Sequence, residues 1–114
     1  MTFERLSEKD KRIVRECMNA IVDGPFLDDF EFETRIGVDR EEMRRILRTY
    51  PDLEDDNDES PTAICINNSL NEVSYGLPFS DDEWSAWFTV TRSEIQEVYK
   101  AWARQRGWTS TGPR

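Results

Sequence analysis

Arg40, Arg44 and Arg48 stand four residues apart, with Arg45 beside them. On a helix that spacing gathers guanidiniums into one stripe, a form of fixed positive charge suited to phosphates or guanine edges. The plainer expectation for the same residues is a solvated helix face, on which Glu41 and Arg45 make an i,i+4 pair contributing about 0.2–0.5 kcal/mol. A related stripe, Arg92, Gln96 and Lys100 with Arg104 one turn on, follows later in the chain. Trp87 and Trp108 are the other candidate contacts, because exposed tryptophan is unfavourable in water and enriched at binding hot spots. Both could instead pack the C-terminal segment back on the body.

Other chemistry is harder to build from this composition. Histidine is absent, which removes Ser-His and Cys-His nucleophile pairs and the commonest metal ligand. Asp28, Asp29, Glu31 and Glu33 lie close together, but no neighbour would set one carboxyl pKa apart from another. The run from Asp52 to Glu59 is acidic enough for a calcium loop, yet lacks the glycine at its sixth position and has Ala63 where the twelfth calls for a bidentate carboxylate. It reads as a flexible acidic linker. No catalytic residue, cofactor or metal ligand is expected, and the chain is not read as an enzyme.

Helical elements must position these side chains. Ser7 is an N-cap, and Ile13, Val14, Cys17, Met18, Ile21 and Val22 follow with the spacing of one helical face. Asp23-Gly24-Pro25 ends that helix, glycine permitting a left-handed turn. A short helix is expected over 28–36, with Phe32 and Ile36 inward and Gly37 closing it. Asp39 caps a helix over 40–49, with Glu42 completing a capping box, and Pro51 stops it. Ser60-Pro61 opens a helix over 61–74 that breaks at Gly76-Leu77-Pro78. Ser80 caps a short helix through 88, and Thr91 caps a last helix over 92–106 before Gly107. No stretch alternates with period two, so the fold class is all-α.

Residues 24–50 recur at 76–102 with a constant offset of 52. Gly24, Asp29, Glu31, Val38, Arg40 and Glu42 meet identical residues, and apolar pairs such as Phe32/Trp84, Met43/Ile95 and Tyr50/Trp102 stay in register. The register extends upstream through Val14/Ile66, Met18/Leu70 and Ile21/Val73. The expected architecture is therefore two tandem three-helix units, 7–50 and 61–106, packed into one domain across 1–114, with 51–60 as connector and 107–114 as a flexible tail. Trp84 and Trp102 align with Phe32 and Tyr50 and read as core.

The net charge of −9 is unevenly placed. Residues 1–50 carry 10 basic and 12 acidic side chains, 51–60 carry six acidic and no basic, and 61–114 carry five and six. Each repeat is close to neutral, so low pI says little about partners. No apolar run approaches the roughly 20 residues needed to cross a membrane. Met1-Thr2-Phe3-Glu4-Arg5-Leu6 lacks the layout of a secretory signal. Cys17 and Cys65 sit among apolar residues and read as buried reduced thiols, a disulfide between helices being the alternative. Asn67, Asn68 and Asn71 are weak helix formers; they would satisfy loop carbonyls near Gly24-Pro25 or Gly76-Leu77-Pro78, or offer a polar contact surface.

Within each unit the second and third helices resemble a helix-turn-helix. Gly37, Val38, Met43 and Ile46 fit its spacing, as do Val90, Ile95 and Val98, with Thr89 at the turn glycine. Ser85 suits the small position of the first helix and Glu33 does not. At Asp23-Gly24-Pro25-Phe26, Asp29-Phe30-Glu31-Phe32, Ile36-Gly37-Val38-Asp39-Arg40 and Asn67-Asn68-Ser69-Leu70-Asn71, the chain resembles a group of small bacterial proteins of unknown function. Its members carry D-G-P-F-F, D-W-E-F and G-x-x-R-x-E; here Leu27 replaces the second Phe and Phe30 the Trp. The resemblance spans residues 7–104 and implies a cytoplasmic bacterial helical protein without implying any catalytic residue. The expected function is an interaction or accessory protein acting on a protein partner through a helical surface, as monomer or homodimer. The alternative is a helix-turn-helix regulator that binds nucleic acid.

Overall fold

The computed structural model describes residues 3–107. A 3-10 turn, Phe3–Arg5, leads into α1 (Glu8–Asp23), α2 (Asp29–Ile36), α3 (Arg40–Leu47), α4 (Pro61–Asn71), α5 (Asp81–Trp87) and α6 (Arg92–Gln105). A π-helical turn, Glu72–Gly76, continues α4. The described residues contain no strand, so the all-α expectation holds. None of their helices is long and apolar enough to cross a membrane.

Each helix begins where a short oxygen-bearing side chain can satisfy an amide that the helix leaves open. Ser7, Asp28, Asp39, Ser60, Ser80 and Thr91 each accept the backbone N–H three residues on. The capping box closes at Ser80, whose own amide donates to Glu83 Oε1 at 2.9 Å. It does not close at Asp39. A second carboxylate beside the anionic cap would be repelled, and Glu42 faces Arg45 at 3.8 Å instead.

Three boundaries differ from expectation. Helix α3 stops at Leu47 rather than 49, because the amides of Thr49 and Tyr50 tighten onto carbonyls three residues back. The 61–74 helix becomes α4 plus a wider turn, closed by the Leu77 amide on the Glu72 carbonyl at 2.8 Å. Gly24 is not left-handed (φ −78°). Glycine is needed there for space, since a Cβ would lie 2.3 Å from the Ala20 carbonyl oxygen. Gly37 is left-handed, at φ 92°, and ends α2.

Helix α1 packs against α3, α4 and α6, and α4 also meets α2. Val14, Met18 and Ile21 of α1 join Ile66 and Leu70 of α4 and Ile95, Tyr99 and Trp102 of α6 in one buried cluster. Full burial of a side chain of this size stabilises the fold by about 1.5–3 kcal/mol. Trp84 is only half-buried at its edge. Cys17 and Cys65 are buried and free. Asn68 Nδ2 donates to the Ile36 carbonyl at 2.8 Å, and Asn67 Oδ1 accepts the Tyr99 hydroxyl at 2.7 Å. These asparagines thus serve the end of α2 and the core, not the predicted loop carbonyls.

The acidic connector is not a simple solvated linker. Leu53 and Asp55 are fully buried. Both Asp55 oxygens accept the Phe3 amide at 3.0 Å, and Oδ2 also accepts Trp102 Nε1 at 2.9 Å and Arg106 Nη1 at 3.1 Å. A carboxylate can leave water when several donors and a guanidinium replace its hydration. Such donors come from both ends of the described chain, which no local reading of 51–60 could reveal.

Candidate functional site

Arg15, Asn19, Val22 and Asp23 are spaced i, i+4, i+7 and i+8, which places them on one side of α1. Opposite them lie Arg44 and Leu47 of α3, then Arg48 and Tyr50. Together these residues line a cleft of about 530 Å³ between the two helices. Its apolar lining comes from half-buried Leu47 beside an almost fully buried Val22, and its polar lining from three guanidiniums, one carboxylate, an amide and a phenol.

Two of the arginines have partners. Arg44 Nη2 lies 3.6 Å from Asp23 Oδ1 across the cleft. Arg15 stacks its guanidinium over the Tyr50 ring, 4.8 Å from the centroid. Phe3 meets the same ring edge-on at 6.2 Å and fixes it from the core side. Arg48 is exposed and its side chain has no partner among the described residues. A neighbouring hollow shares Arg48 and Tyr50 but is bordered by Glu42, Asp52 and Glu54.

Arg40 does not join this group. Its guanidinium donates to the carbonyls of Val22 and Leu27, the latter at 2.7 Å, pairs with Asp29 at 3.0 Å and stacks over Phe32 at 4.5 Å. It ties the end of α1, the following loop and α2 to the start of α3. The later stripe is similarly occupied. Arg92 stacks over Trp84 and Phe79, Gln96 donates to the Ser74 carbonyl at 3.1 Å, and Lys100 pairs with Glu97 at 3.6 Å.

Trp87 lies elsewhere, half-buried, with its ring 5.9 Å from that of Phe26. Phe26 in turn meets Phe79 at 4.8 Å, and Phe79 meets Trp84 at 5.4 Å. The Trp84 indole donates to the Val90 carbonyl at 2.8 Å. Trp108 falls outside the described residues.

Comparison with family profiles, curated proteins and solved structures finds no match. The site therefore stands on its geometry. Arg15 and Asn19 are not singled out by sequence because the apolar face of α1 dominates its pattern, and Tyr50 because its register with Trp102 reads as core. The polar face of α1 carried the signal in the period-four run Arg15, Asn19, Asp23. Phe30 was missed too. It is 91% exposed, out of register with Phe32 and Ile36, and that offset is visible in the sequence.

The displaced protonation equilibria lie in the interior. Burial pushes the Cys65 thiol up to about 12 and the Tyr99 phenol up to about 12, and raises the Cys17 thiol as well. Hydrogen bonding to Glu72 (2.6 and 3.0 Å) holds Arg35 still more firmly protonated than usual. Among the described residues no group of three or more Cys, Asp or Glu is arranged to hold a metal ion.

Proposed function

We propose that this chain is a non-catalytic interaction protein whose helical surface meets a protein partner at the α1–α3 cleft. The observation that carries this reading is the lining of one cleft by Arg15, Arg44 and Arg48 beside half-buried Leu47, with Arg48 left without a partner among the described residues. Guanidiniums stay protonated, so this set is suited to holding an anion and poorly suited to moving a proton. Trp87 and Trp108 remain secondary contacts in the proposal.

The same reading takes the six helices as two tandem three-helix units, 7–50 and 61–106, in one domain. In its support, α2 and α5 begin 52 residues apart, as do α3 and α6. The likeness to small bacterial proteins of unknown function fits a cytoplasmic role, as monomer or homodimer.

A duplex-binding regulator is the second reading, favoured by the exposure of Arg44, Arg45 and Arg48 at the end of α3. It loses Arg40, whose guanidinium bonds within the fold, and it must bring phosphates close to Asp52 and Glu54. The test is affinity capture from the source cells with the parent chain and with Arg44→Glu/Arg48→Glu. Recovery of a protein by the parent alone supports the interaction reading. Equal recovery by both, or capture dominated by nuclease-sensitive material, overturns it.

A further inference from the structure

We infer that the α1–α3 cleft binds an acidic peptide segment of a partner protein, one that carries an aliphatic side chain between its carboxylates. This rests on the interaction reading above and adds the chemistry of the ligand.

Three features of the cleft select that chemistry. First, the charges are guanidiniums, whose planar forks match carboxylates in two-point hydrogen bonds. They approach from two helices, Arg15 from α1 and Arg44 and Arg48 from the end of α3. An elongated ligand presents several carboxylates to charges carried on two helices. Second, half-buried Leu47 gives the lining an accessible apolar surface beside the charges. A lone phosphate would fill little of the roughly 530 Å³ and leave Leu47 in water; an aliphatic side chain would cover it.

Third, the surroundings reject a polyanion with continuous charge. Glu42, Asp52 and Glu54 border the adjoining hollow, which shares Arg48 and Tyr50 with the cleft. The whole chain carries −9. A duplex laid across α3 would bring phosphates to these carboxylates as well as to the arginines, whereas a short peptide can confine its acids to the cleft. The stacking of Arg15 on Tyr50 orients one of the arginines before anything binds, which lowers the ordering cost of binding. Asp23 is a weak competitor at 3.6 Å, replaceable by a better-placed carboxylate.

The experiment uses the full chain and a short fluorescein-labelled peptide built from repeated Glu-Glu-Leu. Anisotropy should rise on titration, and Arg44→Glu/Arg48→Glu should weaken binding by at least about tenfold. Both side chains are exposed, so circular dichroism should show the variant folded. Replacing Glu by Gln in the peptide should abolish binding, and replacing Leu by Ser should weaken it about three- to tenfold. The inference is overturned if the variant binds as the parent does, or if the Leu-to-Ser peptide binds unchanged. It is likewise overturned if inorganic phosphate at millimolar concentration displaces the peptide completely, or if duplex DNA binds more tightly than the peptide. Should the peptide fail while affinity capture still depends on Arg44 and Arg48, the interaction reading stands and only the ligand chemistry falls.

Discussion

Asp55 accepts the indole N–H of Trp102 at 2.9 Å across 47 positions of sequence. The same carboxylate takes the Phe3 amide and Arg106, so the start of the chain, the connector and the end of α6 meet at one buried anion. Replacing it with alanine removes an acceptor that these donors share. Asp55→Ala should cost about 3–5 kcal/mol, read from the urea midpoint, and Asp55→Asn should cost less because one oxygen remains. A shift under about 1 kcal/mol in Asp55→Ala would show that the junction contributes little.

Arg40 and its neighbours should separate cleanly in a stability assay. Arg40→Ala leaves the Val22 and Leu27 carbonyls without their donor and strips a cation from Phe32; about 1–3 kcal/mol should be lost. Arg44→Ala and Arg48→Ala remove exposed side chains and should each stay within about 0.5 kcal/mol of the parent. Thermal melts of the three variants check the ordering, and binding should follow the opposite one.

Gly37→Ala combines two penalties. The residue sits at φ 92°, and a Cβ there would lie 2.4 Å from Ile64 Cγ2. A loss of about 1–3 kcal/mol is expected, measurable by chemical denaturation. Gly37→Ala/Ile64→Ala should recover the steric part of the loss while retaining the backbone part.

Stability should fall in alkali. Cys65 titrates at 9.0 when unfolded and near 12 when folded, and Tyr99 at 10.0 and near 12. The folded chain therefore holds protons that the unfolded chain releases as pH climbs above 9. Their contribution is whole below pH 9 and lost progressively toward 12. Each group adds a slope of about −1.4 kcal/mol per pH unit between its two values. Urea midpoints from neutral to strongly alkaline pH test this, and Tyr99→Phe should flatten the curve above pH 10.

Helix positions were legible because capping is local chemistry. Ser7, Asp39, Ser60, Ser80 and Thr91 each act on an amide three residues away, so their role can be read within one turn. The apolar stripe of α1 was legible for the same reason, since Val14, Met18 and Ile21 are related by helical period alone. Glu42 shows where local reading stops: its spacing from Asp39 fits a capping box, but the charge beside it sends the carboxylate to Arg45.

Arg40, Arg44 and Arg48 are equivalent by spacing and unlike in use. Their helix and their common period follow from sequence alone, because both are set within a few residues. What each guanidinium touches depends on groups brought near by packing. Arg40 falls beside the carbonyls of Val22 and Leu27, 18 and 13 positions away, while Arg44 and Arg48 open onto a cleft whose other wall is α1. Asp55 follows the same logic at longer range. One of six acids in a connector, it becomes the buried one because the folded chain delivers enough donors to replace water, and only tertiary structure supplies them.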